Sequence, residues 1–378
     1  MDLRGFKSVA KRREALEKLL SADLKHIGNF SLDEKVASSR NCENMIGAAQ
    51  IPLGVAGPIK ITGENIKGDF YIPLATSEGA LIASISRGIK AINLGGGAQV
   101  LTYRVGTTRG PVFDTTSIKK SNELFKWIKK NPNKIAEASG KTSKHLKFLK
   151  TDVRTQGRYV FLRFYFNTQD AMGMNMATIA TEKITELIEK EVGVKCLSVA
   201  GNFDIDKKPA WLNFIKNRGF KVWAEVVVPS KVVKNVLKTT SEDFFEVWLT
   251  KCMIGSALSG SLGFNAHFAN IIAAFFAATG QDIAHTVEGS MGMTTAKVLK
   301  NGDLYLSVYL PAVMLGTVGG GTNLETQKEA RSITGVKNSV ELAEVLGGAV
   351  LAGELSLLSA LSSGDLVKAH KELGRGGK

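Results

Sequence analysis

A short charged loop is the strongest candidate for chemistry in this sequence. Residues 201–209 hold two aspartates and two lysines and follow an apolar run, residues 196–199, that predicts a β-strand. A charged run is ordinarily a solvated loop. However, ligand groups in α/β sheets tend to lie just beyond the carboxyl ends of strands. A lysine held there, such as Lys207, can stabilise the developing charge on a carbonyl oxygen.

Three further residues have types and positions that could serve acid–base chemistry. Glu78 follows Thr76 and Ser77, either of which could cap a helix that runs to about residue 92. In the first turn of that helix Glu78 would either complement the helix dipole or, if buried, act as a proton donor. Asp282 comes directly after a buried apolar helix, which makes it a candidate partner for a lysine. His370 lies in a polar C-terminal tail, where a lone histidine is often inert.

Composition excludes several classes of protein. The chain has 378 residues, a net charge of +14 and three scattered cysteines, and its five histidines lack metal-ligand spacing. No metal site is therefore expected. The lysines are spread along the chain and no nucleic-acid-binding signature accompanies them, so nucleic acid is not an expected partner. The charged N-terminus has no apolar signal region and the longest apolar stretch is too short to span a bilayer, which predicts a cytoplasmic protein without a membrane segment.

The elements between residues 110 and 199 alternate in a recognisable order. Patterning predicts strand, helix, two strands, helix and strand, which is the ferredoxin-like βαββαβ order. Within it, residues 170–176 form a Gly-containing turn before a helix N-terminus, where an anion or a dinucleotide can bind. The Rossmann G-x-G-x-x-G is absent, and Ile135 stands where a Walker A motif needs glycine.

The flanking regions supply the rest of the predicted architecture. Residues 1–35 are predicted to be helical, and residues 59–72 predict a β-hairpin. Beyond residue 230 the pattern is mainly helical, with a glycine run at residues 316–322 that allows close approach of the backbone to a ligand.

Six stretches together resemble hydroxymethylglutaryl-CoA reductase, in the class that includes animal catalytic domains and archaeal enzymes. They are E-N-M-I-G at 43–47, D-A-M-G-M-N-M at 170–176, residues 201–209, G-Q-D at 280–282, G-T-V-G-G-G-T at 316–322 and G-E-L-S-L at 353–357. The resemblance implies an α+β fold with a large α/β substrate domain, residues 36–109 and 200–378. A ferredoxin-like dinucleotide-binding subdomain, residues 110–199, is inserted in it, and residues 1–35 form an N-terminal helical segment. It also implies a homo-oligomer, commonly a tetramer, with active sites at the dimer interface.

The resemblance implies a two-step reduction of a thioester to an alcohol, giving mevalonate and CoA. Lys207 is then expected to stabilise the oxyanion and to come from the neighbouring subunit. Glu78 is the expected proton donor, Asp282 tunes both groups, and His370 protonates the departing CoA thiolate. Asp204 is left as a solvated loop residue.

Binding residues are carried over in the same way. Substrate ligands are expected at Arg87, Arg109, Asp206, Lys208, Lys251 and Asn270. Cofactor-binding residues are expected at Ser143, Lys144, Asp170, Met172, Gly173, Met174, Asn175, Gly319 and Gly320. Lys144 stands where animal members have arginine, and it neutralises a 2′-phosphate without bidentate geometry. NADPH is therefore the expected cofactor.

Two departures and two alternatives accompany this interpretation. Ala200 stands where a serine contacting the acyl group is common, and Gly376 replaces the regulatory serine of animal members. One alternative is an NAD-linked enzyme of the same fold that degrades mevalonate, against which the Ser143–Lys144 pair argues. The distant alternative is a basic nucleic-acid-binding protein.

Overall fold

Ten strands and fourteen α-helices organise the chain in the computed structural model, which describes residues 2–364. The strands are β1 (Leu53–Gly63), β2 (Lys67–Ala75), β3 (Ala98–Arg109), β4 (Val112–Asp114), β5 (Lys147–Gln156), β6 (Tyr159–Asn167), β7 (Lys195–Ser198), β8 (Arg218–Val228), β9 (Met293–Val298) and β10 (Leu304–Val313). The helices are α1 (Val9–Leu20), α2 (Glu34–Arg40), α3 (Leu81–Leu94), α4 (Ile118–Lys130), α5 (Pro132–Gly140), α6 (Met174–Val192), α7 (Trp211–Lys216), α8 (Ser230–Val232), α9 (Ser241–Val247), α10 (Ser256–Leu258), α11 (Phe268–Thr279), α12 (Thr286–Gly289), α13 (Glu325–Ser332) and α14 (Ser339–Ser362). Two π-helical segments, Val233–Leu237 and Trp248–Gly255, continue α8 and α9.

The larger part of the sheet has the order β2-β1-β3-β8-β10-β9. Only the β1–β3 pairing in this part is parallel, and the other neighbours are antiparallel. Apolar side chains alternate along these strands, as in β8 and β10, and the inward-facing ones pack against α3, α11 and α14. This large apolar core is formed by residues between 56 and 100 and between 220 and 358.

The smaller part of the sheet confirms the ferredoxin-like order. Its strands run β7-β4-β6-β5 with every neighbour antiparallel, so the first and third strands of the unit lie side by side in the centre. A separate apolar core, formed between Phe113 and Val192, packs α4, α5 and α6 on one face. The short helix α5 was not predicted. It begins at Pro132, which suits the first turn of a helix because its missing N–H would be unsatisfied there anyway.

Strand β3 joins the two parts of the sheet. Its first residues pair with β8, whereas Thr107–Arg109 pair with residues 164–166 of β6. The chain therefore enters the smaller part directly from a strand of the larger one. Sequence patterning missed β3 as a strand, because glycine and charged residues interrupt its apolar alternation.

Helix α14 is the central helix of the large core. It is the one helix among residues 2–364 that is long and apolar enough to cross a membrane, with a mean hydropathy of 1.6, but 83% of that apolar window is buried inside the protein. Burial on all sides is what a core helix of a large protein requires. Helix α3 crosses it closely, since an added Cβ at Gly88 would lie only 1.9 Å from the carbonyl oxygen of Ala352.

This close crossing leads to a prediction about stability. Substituting Gly88→Ala should lower the free energy of unfolding by about 2–3 kcal/mol, because a methyl group must displace helix backbone rather than a flexible side chain. Chemical denaturation measures the change. Gly140→Ala is the matched control, because its Cβ would meet nothing within 4 Å at the end of α5. Equal stability of the two variants would contradict the prediction.

Candidate active site

The charged loop after β7 brings Lys207 to Asp282. The Nζ of Lys207 lies 2.7 Å from Oδ2 of Asp282, and both side chains remain more than a third exposed. Lys207 and Ile205 both adopt positive φ angles, 56° and 55°, which is a strained conformation for a β-branched residue such as isoleucine. A hydrogen bond from the side chain of Asn213 on α7 to the carbonyl of Ile205 holds the loop in this shape. The predicted lysine–carboxylate partnership is thus formed within one chain.

A fully buried arginine supports this loop. Arg218, the first residue of β8, forms an ion pair with Oδ1 of Asp206 at 2.9 Å and another with Glu288. Its Nε donates to the hydroxyl of Thr108, which in turn donates to the carbonyl of Asp204. A buried cation is stable only when it is paired and hydrogen-bonded, so Arg218 fixes two carboxylates and the loop backbone together.

A buried histidine lies between this arginine network and the Lys207 pair. The Nδ1 of His285 is 2.8 Å from Oε1 of Glu288. Its Nε2 faces two carboxylates, at 3.7 Å from Asp282 and 3.9 Å from Asp206, and has no hydrogen-bond partner in the described residues. The network therefore continues from the buried interior to the exposed lysine.

The two aspartates of the network are held ionised. Burial raises the pKa of Asp206, but the charges of Arg218 and His285 together with the Arg218 hydrogen bond lower it more, so it lies below its usual value. Burial likewise raises the pKa of Asp282, while the hydrogen bond from Lys207 and the charge of His285 bring it below its usual value. Both carboxylates therefore present a negative charge to Lys207 and Arg218.

Asp204 is not the solvated loop residue that the sequence predicts. It is 1% exposed, and its carboxylate accepts from Nη1 of Arg109 at 3.1 Å. The same guanidinium donates to the hydroxyl of Thr178 on α6 and lies 3.9 Å from Asp206. The prediction was wrong because a nearby arginine on β3, distant in sequence, compensates the buried charge.

One cluster in the described residues has the donor types of a metal site. Asp206, His285 and Glu288 place their ligand atoms within 4.8 Å of one another. Arg218, however, already forms ion pairs with both carboxylates. The guanidinium therefore provides the compensating positive charge at this position.

Glu78 lies in a second cluster, where Asn270 at the start of α11 donates a hydrogen bond to its carboxylate. Glu78 precedes α3 rather than lying in its first turn, because the helix begins at Leu81 after Ala80 adopts a left-handed φ of 72°. The predicted capping by Thr76 or Ser77 was therefore wrong: the Thr76 hydroxyl accepts from the N–H of Glu78 instead. Glu78 is thus positioned by a strained turn, not by a helix dipole.

A cleft of about 570 Å³ lies beside Asn270. Its wall includes Lys251, on the second π-helical segment, together with His267 and residues of the loop 259–266. A π-helix changes the direction in which its side chains project, and such segments are common at functional sites. Two of the predicted substrate ligands, Lys251 and Asn270, therefore line one cleft.

The two clusters lie at opposite ends of α11. Asn270 is the third residue of this helix, and Asp282 follows its last residue, Thr279. Nine residues of helix span roughly 14 Å. Glu78 and Lys207 therefore contact residues at opposite ends of this helix within one chain.

The segments predicted to bind the cofactor do converge. The Gly316–Thr322 loop lies on the 170–176 turn, with the N–H of Thr317 donating to the carbonyl of Asp170 at 2.7 Å. Helix α6 begins immediately afterwards, with Gly173 as its N-cap at a φ of 86° and without a side-chain cap. A helix N-terminus without a side-chain cap attracts an anion such as a phosphate.

Other predicted cofactor residues surround this helix start. Ser143 lies 3.8 Å from the sulfur of Met176, and its neighbour Lys144 is exposed. Gly319 and Gly320 both have positive φ angles and open space where a Cβ would be. Met172, Met174 and Asn175 lie in the same turn and first helical positions. The carboxylate of Asp170 instead accepts from Ser339 at the start of α14, so it ties the turn to the large core.

The remaining predicted residues have mixed surroundings. Arg87 is half-buried, and its guanidinium donates to the hydroxyl and the carbonyl of Ser356 on α14. Lys208 is exposed, with its Nζ 3.1 Å from the carbonyl of Asp206. His370 lies outside the described residues.

Sequence reasoning missed three members of the buried network: Arg218, His285 and Glu288. A signal was present, since Asp282, His285 and Glu288 follow one another at intervals of three, which places them on one face of a helical turn. Arg218 begins a strand whose alternate residues are apolar, where a charged side chain on the buried face indicates a buried partner.

The chain matches the family hydroxymethylglutaryl-coenzyme A reductase over residues 8–375. The 3-hydroxy-3-methylglutaryl-coenzyme A reductase of Methanothermobacter thermautotrophicus is 51% identical over 369 residues, 97% of this chain and 93% of that protein. That of Methanocaldococcus jannaschii is 52% identical over 373 residues, 96% of this chain and 92% of that protein.

A solved structure has the same fold. The class II 3-hydroxy-3-methylglutaryl-CoA reductase from Streptococcus pneumoniae, bound to NADPH, matches with a TM-score of 0.72 at 17% identity, covering 96% of this chain and 100% of that one. The much higher identity to the archaeal proteins confirms the resemblance to the class that includes them. By its match over nearly the whole length and by these identities, this chain belongs to the hydroxymethylglutaryl-coenzyme A reductase family.

Proposed function

We propose that this protein reduces 3-hydroxy-3-methylglutaryl-CoA to mevalonate and CoA with two molecules of NADPH. The observation that carries the proposal is the Lys207–Asp282 ion pair at 2.7 Å in a chain of this family. A lysine kept charged by a carboxylate, but still partly exposed, is available to a carbonyl oxygen that becomes negative as hydride arrives.

The reaction assigns one task to each group. NADPH supplies the hydride in each step. Lys207 stabilises the oxyanion of the hemithioacetal, and later the alkoxide that forms when hydride adds to the aldehyde, while Asp282 holds this lysine in position. Glu78 delivers the proton to the product oxygen, while His370 protonates the CoA thiolate as the C–S bond breaks. A protonated thiol is a much weaker nucleophile than the thiolate, so re-addition to the aldehyde is slowed and the second reduction can follow.

Substrate binding is assigned to the 570 Å³ cleft and its surroundings. Lys251 pairs with the substrate carboxylate and Asn270 positions the acyl group beside Glu78. Arg109 at the end of β3 contacts the acyl group together with Asp206 and Lys208 of the charged loop, and Arg87 lies toward the CoA phosphates. The high net positive charge suits a substrate that carries several phosphates.

NADPH is assigned to the smaller part of the sheet. The backbone of residues 170–175 and the N-terminus of α6 bind the pyrophosphate, with Gly319 and Gly320 closing over it. Ser143 and Lys144 bind the 2′-phosphate. In this proposal residues 110–199 form the cofactor subdomain, residues 36–109 and 200–378 form the substrate domain, and residues 1–35 form an N-terminal segment.

Two chains are needed for one complete site. Because α11 separates Glu78 from Lys207 within a chain, we infer a homodimer in which Lys207 of one subunit meets Glu78 of the other. A tetramer would be a pair of such dimers. The enzyme is placed in the cytoplasm.

The test is the oxidation of NADPH on adding 3-hydroxy-3-methylglutaryl-CoA to the purified protein. We expect absorbance at the nicotinamide band to fall, with two NADPH consumed for each mevalonate formed. We expect kcat/KM to be higher with NADPH than with NADH, because Lys144 pairs with the 2′-phosphate. A clear preference for NAD-linked oxidation of mevalonate would instead favour the degradative enzyme, and absence of both reactions would contradict the proposal.

A further inference from the structure

The buried His285 has a geometry that the reaction above does not use. Its side chain is 0% exposed and lies directly behind the Lys207–Asp282 pair. Oε1 of Glu288 accepts from Nδ1 of the ring at 2.8 Å, which places a proton on Nδ1 and leaves Nε2 toward the active-site side. A ring held in one tautomer and one orientation by a buried carboxylate is typical of a histidine that acts on a third group.

Charged groups surround this ring from every packed element. They are Asp282 on its own turn, Glu288 on α12, Asp206 and Lys207 on the charged loop, and Arg218 on β8. Two carboxylates, at 3.7 and 3.9 Å, face Nε2, and that atom has no hydrogen-bond partner in residues 2–364. A neutral ring presents a lone pair to these carboxylates and repels them, whereas a protonated ring presents an N–H and attracts both.

We propose that His285 is a positioning residue for the catalytic pair, and that the charge of its ring sets the position and the ionisation of Asp282. The inference rests on the proposed function, since Asp282 acts there through Lys207. When the ring is protonated, its N–H holds the carboxylate of Asp282 toward Lys207. When the ring is neutral, that support is lost and the pair loosens. Activity should therefore depend on whether this ring carries a second proton.

Steady-state kinetics on His285→Gln give the first test. We expect kcat to fall about 10- to 100-fold, as displacement of a reacting group does, with both KM values changed less than about twofold. The pH dependence of kcat should lose one ionisation. His26→Gln is the matched control, because His26 is exposed in the N-terminal segment. An unchanged kcat, or a fall of equal size at every pH, would overturn the proposal.

Nitrogen NMR on protein labelled at its five histidines gives a second test that needs no turnover. The His285 signal is assigned by elimination, through substitution of the other four histidines one at a time. We expect the midpoint of its titration to move to lower pH in Asp282→Asn, because loss of a facing carboxylate disfavours the charged ring. An unmoved midpoint would overturn the coupling even if His285→Gln does not fold.

The two tests separate this inference from the proposed function. If the wild-type protein does not reduce 3-hydroxy-3-methylglutaryl-CoA, the proposed function fails, while the NMR titration still reports on His285 and Asp282. If the wild-type protein is active but His285→Gln matches it at every pH, the positioning role fails alone.

Discussion

Lys207→Ala should reduce kcat for 3-hydroxy-3-methylglutaryl-CoA by about 1,000-fold or more while NADPH binding stays within about twofold of wild type. In the proposed reaction Lys207 is the charged donor next to the reacting carbonyl. Removing one such donor costs about 100- to 1,000-fold in other acyl-transfer sites. A full positive charge close to the oxyanion should lie at or above the upper end of that range. The segments proposed to bind NADPH lie around the start of α6, whereas Lys207 pairs with Asp282.

Stability should not explain the loss. Both members of the Lys207–Asp282 pair are more than a third exposed, so their interaction is screened by solvent and contributes little to folding. Steady-state kinetics measures kcat, quenching of nicotinamide fluorescence measures NADPH binding, and thermal unfolding measures stability. Lys216→Ala is the matched control, since Lys216 is also near the loop and pairs only distantly, at 3.7 Å, with Asp152. Retention of more than about a tenth of wild-type kcat would remove Lys207 from the catalytic role.

Two inactive variants should restore activity when their chains are mixed. Glu78→Gln and Lys207→Ala each disable every site of a homodimer. In a mixed dimer, however, one site contains the intact Glu78 of one chain and the intact Lys207 of the other. Because half of randomly paired dimers are mixed and each has one intact site of two, about a quarter of wild-type activity should return.

Co-expression with two affinity tags isolates the mixed dimers, which should reach about half of wild-type kcat per dimer. Mixing two preparations of Glu78→Gln is the control and should stay inactive. Glu78→Gln suits this purpose because glutamine still accepts the hydrogen bond from Asn270. If the mixed dimers remain inactive, Glu78 and Lys207 act within one chain, and the separation by α11 does not determine the site.

The sequence predicted the small ferredoxin-like unit because its elements follow one another closely along the chain. Strand, helix and hairpin follow one another between residues 112 and 198 with regular patterns, and the turn at 170–176 marks the helix start. The Lys207–Asp282 partnership was also predictable, since a carboxylate after an apolar helix needs a cation. The family motifs then supplied the site residues that no local pattern identifies.

What the sequence could not show depends on contacts between distant residues. Asp204 looks solvated until Arg109, on another strand, lies 3.1 Å away. Arg218 and Glu288 are 70 positions apart, and each would be an ordinary surface charge without the other. Ala80 forms a left-handed turn that its own residue type disfavours, so the delayed start of α3 comes from tertiary packing.

The connection made by β3 has a consequence for how the chain folds. The polypeptide leaves the large sheet at Arg109 and returns to it at Arg218, where β8 pairs with β3. Until the intervening segment becomes compact, bringing these two strands together requires closing a loop of more than a hundred residues. Contacts inside the inserted unit are mostly closer in sequence, so its early collapse shortens that loop and lowers the entropy lost in pairing β3 with β8. The smaller part of the sheet would then fold first, and the larger part would form around it.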